Sequence, residues 1–291
     1  MSHDPAQLAA LDAVLRLGSF EAAAGALHVT PSAISQRIKA LEDRIGTALV
    51  LRGAPCTATP AGARLARHAS DIALLDAALA RDLLLPAAPA RLRLAVNADS
   101  LSTWFLPALA GQDLLFDIAL DDETHSADWL RRGEVSAAIT AHGRAVQGCD
   151  VHALGRLRYV ATCAPPFHRR FFAEGVTAAA LARAPMLQFN AKDRMQHDWL
   201  REVTGENLSP PVHRLPSSQG FVEAARLGLG WGLNPKPLVV KAIAKGLLVP
   251  LMPTAPRDVA LYWQVNRLVA GALSGLTASV RRTAAAALIP D

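Results

Sequence analysis

Apolar positions in the first 85 residues recur at three- and four-residue steps, the spacing of helices that bury one face. Leu8, Leu11, Val14 and Leu15 mark a first helix over about Pro5–Leu17. Gly18 ends it, and Ser19 stands where a hydroxyl caps the next helix. Glu21, in that helix's first turn, suits the positive end of its dipole. The second helix, Phe20 to Leu27, carries Ala22, Ala23, Ala24 and Ala26, so another helix can approach it closely. Thr30 offers an N-cap hydroxyl, and Pro31 sits where a missing N–H costs nothing. A third helix follows over about Pro31–Ile45, with Ala33, Ile34, Ile38, Leu41 and Ile45 as its buried stripe. From Pro60 to Leu85 the pattern is helical again. Leu65, Ile72 and Leu79 lie seven apart, with Ala69, Leu75 and Leu83 filling in. This spacing predicts a short coiled-coil seam, flawed by Asp76, or a helix packed on its own domain. It stops before Pro86–Pro89, a hinge-like stretch with two prolines.

Beyond the hinge, short apolar runs alternate with helical stretches. Arg91–Asn97, Leu114–Leu120, Ser136–Thr140, Tyr159–Cys163 and Met186–Phe189 read as strands. So do Val212–Leu215, Trp231–Leu233, Leu247–Leu251 and Val259–Val265. Helices are expected through Trp104–Leu109, Ala127–Arg132, Asp193–Val203, Phe221–Leu227 and Ala272–Leu288. The alternation predicts open α/β sheets with largely parallel strands.

The polar side of the third helix is chemically specific. Ser32, Ser35, Gln36, Arg37 and Lys39 fall largely on its exposed side. Hydroxyls, an amide and a guanidinium on one helix suit the donor and acceptor pattern of a DNA major groove. Gln36 could pair with adenine and Arg37 with guanine, each good bidentate contact discriminating by roughly 1–3 kcal/mol. An ordinary solvated face on a three-helix bundle fits the composition as well. Charge adds to the picture. Residues 28–67 hold six basic and two acidic side chains, whereas residues 1–90 hold eight of each. The basicity is therefore local, as a phosphate-binding footprint is.

These residues resemble the DNA-binding domain of the LysR-type transcriptional regulators. The likeness rests on the alanine-rich helix with Phe20 and Ala24, on Ala33-Ile34-Ser35, and on Ile38 with Leu41-Glu42. It continues through Gly46, Leu49 and Arg52 to Thr59-Pro60-Ala61-Gly62, expected as a wing. Pro31-Ser32 replaces the usual Gln-Pro at the start of the reading helix. The resemblance implies DNA contacts from Ser32, Ala33, Ser35, Gln36, Arg37, Lys39, Arg52, Thr57 and Thr59. It implies an N-terminal all-α winged helix-turn-helix over residues 1–59, a linker and dimerisation helix over 60–85, and a hinge over 86–90. Residues 91–291 would form an α/β effector domain of two lobes, like a periplasmic binding protein. Lobe one is expected over 91–161 and 266–291, and lobe two over 162–265, where Gly228–Pro235 resembles the family's helix–Gly–strand–Pro passage. The implied partners are double-stranded operator DNA, RNA polymerase and a second copy of the chain, as a homodimer with tetramers as a further assembly.

Composition bounds the setting. The 291 residues suffice for two or three domains, and 51% are hydrophobic. MSHDPAQLAA shows no positive leader followed by an apolar core, and no apolar run approaches a membrane span. Cys56, Cys149 and Cys163 are odd in number and scattered, which points to free thiols in a reducing cytoplasm. Cytoplasmic localisation without a membrane partner is the expectation. The net charge of +5 agrees with nucleic-acid binding without establishing it.

Ligands of open α/β sheets bind beyond the carboxyl ends of the strands. After the first strand comes Asn97-Ala98-Asp99-Ser100-Leu101-Ser102, where hydroxyls and helix N–H groups suit an anion. After the second come Asp121, Asp122 and Glu123. In the second lobe Pro216-Ser217-Ser218 opens the helix bearing Phe221. An anion hole facing carboxylates suits a zwitterion with an extra positive charge, such as lysine or arginine. Solvated loop carboxylates and ordinary helix caps are the alternative. Val96–Leu109, Leu130–Thr140, Gln147–Cys149, Leu154–Thr162, Phe189–Asp193, Pro216–Ser218 and Leu261–Gln264 are similar to the ArgP/LysG branch of the family. That similarity implies control of a basic amino-acid exporter gene, with lysine or arginine as effector. The candidate effector residues are Ser100, Ser102, Trp104, Asp122, Glu123, Thr140, Asn190, Ser217, Ser218 and Phe221. A regulator with a different small effector remains an alternative.

No enzyme, cofactor or metal is expected. Gly228–Gly232 has the wrong order for a dinucleotide loop, since its glycines follow a helix and precede a strand. There is no GxSxG elbow and no P-loop. His142, Cys149, His152, Cys163 and His168 lack compact ligand spacing. Trp104, Trp129, Trp199, Trp231 and Trp263 read as core and lobe packing. A solute-binding protein would account for residues 91–291 but not for the DNA-reading head. A constitutive DNA-binding protein would need no effector.

Overall fold

The computed structural model describes residues 4–86, 88–120 and 126–290. The N-terminal head packs three helices, α1 (Pro5–Leu17), α2 (Phe20–Ala26) and α3 (Pro31–Ile45). The caps are those expected: Ser19 accepts from Ala22 N–H and Thr30 from Ala33 N–H, and Gly18 ends α1 at φ 72°. Leu11, Val14, Ile34, Ile38, Leu41 and Leu49 form the head's core. Two short antiparallel strands, β1 (Val50–Leu51) and β2 (Thr57–Ala58), make a wing. The Thr59–Gly62 stretch is not the wing. Thr59 caps α4 (Pro60–Asp82), whose first turn holds Pro60, Ala61 and Gly62. A proline at N1 preceded by a hydroxyl starts a helix, which is why the motif reads that way in three dimensions. Gly62 is required there, since a Cβ would stand 1.9 Å from the Leu49 carbonyl oxygen.

The linker helix α4 has two sides. Leu65, Ala69 and Ile72 pack on the head core, and Leu74 joins the core of the following domain. Leu75, Leu79 and Leu83 stay 39%, 57% and 58% exposed. Arg67 Nη1 donates to the Arg132 carbonyl at 2.6 Å.

The second domain continues as β3 (Ala90–Val96), a helical stretch, β4 (Leu114–Leu120), α7 (Ser126–Arg132) and β5 (Ala137–Thr140). The helical stretch is α5 (Ala98–Ser100), a π-helical turn (Leu101–Phe105) and α6 (Leu106–Leu109). Pro107, which lacks an N–H, lies two residues beyond the end of the widened turn. Then come β6 (Cys149–Cys163), α8 (Pro165–Phe171), α9 (Ala178–Arg183), β7 (Met186–Gln188), α10 (Met195–Thr204) and β8 (Val212–Arg214). The chain ends through α11 (Ser218–Arg226), β9 (Gly232–Pro235), α12 (Lys236–Ala244), β10 (Val249–Pro250), β11 (Arg257–Asn266), α13 (Arg267–Ala270) and α14 (Ser274–Ala287).

Seven strands form one sheet in the order β10-β6-β11-β5-β3-β4, with β9 also on β6. Among the described strands, parallel ladders join β3 with β4 and β5 here, and β7 with β8 in a two-stranded sheet. The expectation of largely parallel strands is therefore corrected. The long strands β6 and β11 run in opposite directions and pair antiparallel from Cys149↔Asn266 to Tyr159↔Arg257. They carry the chain between the two halves of the domain, so the lobes share strands. At Gly155, φ 113°, a Cβ would stand 2.6 Å from the Ile289 carbonyl oxygen. Only glycine allows the C-terminal segment to pass there, where Arg156 N–H donates to that carbonyl.

Trp199, Trp231 and Trp263 are fully buried, and the Trp199 and Trp263 N–H groups donate to Ala255 O and Thr277 Oγ1. Trp104 is also core, whereas Trp129 is sandwiched near the guanidinium groups of Arg93 and Arg132. No helix among the described residues is long and apolar enough to cross a membrane.

Candidate functional site

Two places concentrate polar chemistry, the outer face of α3 and a cleft between the lobes. On α3, Ser32, Gln36 and Lys39 are exposed, and Ala33, Ser35 and Arg37 are half-buried. Ile34, Ile38 and Leu41 turn inward and lock the helix face. The Arg52 guanidinium lies 5.1 Å from the Phe20 ring centroid, which fixes it at the start of α2. Thr57 is exposed on the wing. Thr59 has a structural duty: its hydroxyl donates to Ala48 O at 2.8 Å and accepts from Gly62 N–H at 3.0 Å. Glu42, not among the residues singled out, ties the wing to α3 by accepting from Leu49 and Val50 N–H at 2.7 and 3.3 Å.

The cleft encloses about 630 Å³. Lobe one contributes Asn97, Ala98 and Asp99 from the end of β3, and lobe two contributes Phe189, Asn190, Lys192, Asp193, Arg194, Asp198, Ser218, Phe221 and Asn234 among others. Tyr159 on β6 and Asp258 on β11 supply the wall along the shared strands. Asp99 keeps part of its surface open to the cavity, yet surrounding protein dominates its titration. Burial pushes its carboxyl above the usual carboxylate range, the neighbouring Ser218 and Tyr159 hydroxyls pull it back, and Asp193 pushes it further up. The Tyr159 hydroxyl donates to Asp99 Oδ2 at 2.8 Å.

The remaining carboxylates are engaged differently. Asp193 accepts from the backbone N–H groups of Phe189 and Met195 and from Gln196 Nε2, all within 3.0 Å. Asp258 takes a two-pronged contact from Arg158 at 2.7 and 2.6 Å, and that guanidinium holds its carboxyl below the ordinary range. Glu202 and Asp198 share Arg257 at 2.5 and 3.8 Å. Asn190 Oδ1 accepts from Lys192 and Asp193 N–H, folding the loop that presents these groups.

The cleft wall takes in Asn190, Ser218 and Phe221 from the expected effector residues. It does not take in five others. Ser100 is fully buried, and Ser102 lies on the π-helical turn. Trp104 packs edge-on against Phe105 in the core. The buried Thr140 hydroxyl donates to His142 O and accepts from Gln264 Nε2. Ser217 is exposed and caps α11 by accepting from Gly220 N–H. Helical and strand alternation turned these side chains toward core or cap rather than cavity. Asp122 and Glu123 lie outside the described residues. The cleft residues that local pattern did not single out are Asp99, Tyr159, Asp193, Asn234 and Asp258. Asp99 and Asp193 end motifs already conspicuous in the sequence, whereas Tyr159 and Asn234 sit in apolar strands that read as core.

Burial raises the Cys163 thiol to about 12, which keeps it protonated. Among the described residues no three histidine, cysteine or acidic side chains converge as metal ligands.

Comparison with known proteins adds three findings. Residues 5–63 match the bacterial regulatory helix-turn-helix protein, lysR family, and residues 87–285 match the LysR substrate binding domain. The chain is 44% identical over 284 residues to the HTH-type transcriptional regulator LysG of Mycobacterium bovis, covering 97% of this chain and 93% of that one. It is 41% identical over 294 residues to the regulator ArgP of Pseudomonas fluorescens, covering 97% of each. Among solved structures, ArgP from Mycobacterium tuberculosis superposes with a TM-score of 0.83 at 42% identity over 100% of both chains. Full-length LysG from Corynebacterium glutamicum, described with bound effector Arg, superposes at 0.69 with 37% identity over 99% of this chain and 100% of that one.

Proposed function

The chain belongs to the LysR family of transcriptional regulators, and we propose that a basic amino acid, lysine or arginine, sets its action on operator DNA. The observation that carries this reading is the cleft of about 630 Å³ between the lobes, in which Asp99, Asp193, Asp198, Glu202 and Asp258 outnumber Lys192, Arg194 and Arg257. Its size accommodates an extended amino acid, and its carboxylates suit a ligand with net positive charge. The description of the Corynebacterium LysG with bound Arg supports the same ligand class. The regulated gene is proposed to encode an amino-acid exporter, with α3 reading the operator and RNA polymerase as the target of the ligand-dependent response. Two heads on a two-fold dimer would reach successive major grooves.

The mechanism is a population shift. A ligand held by both lobes favours the closed cleft, and it can bias the molecule only by its differential affinity for the two states. Calorimetry with L-lysine and L-arginine, paired with a footprint over the promoter of the proposed exporter gene, tests the reading. Saturable binding and a ligand-dependent footprint are expected. Absence of binding by both amino acids would point to a different small effector. For the reading helix, Arg37→Ala is expected to cost roughly 1–3 kcal/mol of operator discrimination. Unchanged affinity and sequence preference in a gel shift would sink that assignment.

A further inference from the structure

The carboxylates of the cleft are not alike in their countercharges. Asp258 faces Arg158, and Asp198 and Glu202 face Arg257. Asp99 is held differently. Among the described residues, the groups that act on it are two neutral hydroxyls, those of Tyr159 and Ser218, and a second carboxylate, Asp193. Asp193 in turn is satisfied by N–H donors that carry no charge. Asp99 from lobe one and Asp193 from lobe two therefore face the same cavity.

A second observation, independent of charge, points the same way. Asn234 lines this cavity and is fully buried. Its Nδ2 donates to Thr162 Oγ1 at 2.9 Å and to Gly232 O at 3.2 Å. The Gly232 carbonyl can only accept, so the amide orientation is determined by its partner. The other atom, Oδ1, meets no donor among the described residues. A buried acceptor without a donor costs free energy unless a ligand supplies one. A buried acceptor without a donor, and a carboxylate whose printed hydrogen bond comes from a neutral hydroxyl, call for a guest that donates N–H bonds and carries positive charge.

We propose that Asp99 receives a protonated nitrogen of the effector and that Asn234 Oδ1 accepts a second N–H from the ligand. This assignment rests on the basic amino-acid reading above and names the residues that discriminate charge within it. Asp99 reaches the cavity from lobe one and Asn234 from lobe two. A guest held by both therefore bonds across the cleft and favours its closed state. The nitrogen is either the α-ammonium or the side-chain cation, and both present the same chemistry to a carboxylate.

The test is a calorimetric cycle on the full-length protein. Wild type and Asp99→Asn are titrated with L-arginine, L-lysine, L-citrulline and Nα-acetyl-L-arginine, and folding is checked by thermal melting. L-citrulline lacks the side-chain charge, and Nα-acetyl-L-arginine lacks the α-ammonium. Asp99→Asn is expected to weaken L-arginine and L-lysine by about tenfold or more, the scale of a charged hydrogen bond. The analogue lacking the nitrogen that Asp99 holds is expected to bind both proteins alike, because the interaction is already absent. Asp99→Ser repeats the cycle if the asparagine variant does not fold. Wild-type binding with Asp99 variants within about twofold, or equal losses for all four ligands, overturns this inference alone. No binding of either basic amino acid to wild type overturns the functional reading along with it.

Discussion

Single hydroxyls in this chain divide between reading and holding, and Thr59 shows how the two are told apart. Family resemblance places it among DNA contacts. Its geometry binds it to the protein on two sides, at Ala48 O and at Gly62 N–H. Loss of an N-cap hydroxyl costs about 0.5–2 kcal/mol, and the strap to Ala48 adds a further hydrogen bond of about 1 kcal/mol. Thr59→Ala is therefore expected to destabilise the head by about 1–2 kcal/mol in chemical denaturation followed by circular dichroism. Thr59→Ser, which keeps the hydroxyl, restores most of it. A variant of unchanged stability with weakened operator binding would assign Thr59 to DNA instead. The same division applies to Thr140 and Ser217, whose hydroxyls serve a buried network and a helix cap. Residue type suggested ligand contact for both, but only the direction of the side chain decides it. That direction follows from a strand or helix phase that is uncertain by one position at an element's end.

Elements with strong local signals were legible in the sequence almost to the residue. The helices of the head carry side-chain caps at Asp4, Ser19 and Thr30, a proline at N1 in α1 and α3, and glycine stops after those two, so their limits are written locally. The strand β6 was legible only at Tyr159–Cys163. Its earlier part mixes Gly155 with Arg156 and Arg158, which breaks the apolar alternation. The helix α12 went unread because Leu238-Val239-Val240 looks like a strand until it is seen packed beside α11. The cleft was harder still, since it joins positions near 99, 159, 193, 218, 234 and 258. Periodicity carries no information about such long-range convergence. The linker α4 holds the sharpest prediction at this scale. Leu65 and Ile72 are spent on the head, which leaves Leu75, Leu79 and Leu83 as the exposed remainder of the expected seam. Burying a leucine side chain contributes about 1.5–3 kcal/mol, and a two-fold interface buries two copies. Leu79→Asp is expected to weaken dimerisation by at least about tenfold in sedimentation equilibrium. An unchanged monomer–dimer equilibrium would place the dimer contact elsewhere.

At the scale of the whole molecule, the junction between head and effector domain sets polar contacts beside the buried Leu74. Arg67 donates to the Arg132 carbonyl, and Asp71, only 5% exposed, lies 3.5 Å from the Ser136 hydroxyl. Burial pushes the Asp71 carboxyl above its ordinary value, against the opposing pull of Ser136, Arg67 and His68. A raised carboxyl means that the folded chain holds this proton more tightly than the unfolded chain. The unfolded chain therefore ionises first as pH rises, and stability falls across the window from the ordinary carboxylate value of 3.8 up to the raised folded value. Above that window the cost is complete and constant. Asp71→Asn removes the ionisation while keeping the shape and a partner for Ser136. The variant is expected to melt above wild type at about pH 7, and the gap is expected to close as pH falls below the unfolded carboxylate range. Thermal denaturation of both proteins across that range reads the effect directly. If the variant instead melts lower at neutral pH, the Asp71 carboxylate is a net favourable contact, held by Arg67 and His68 on its own helix and by the Ser136 hydroxyl across the junction, rather than a buried polar cost.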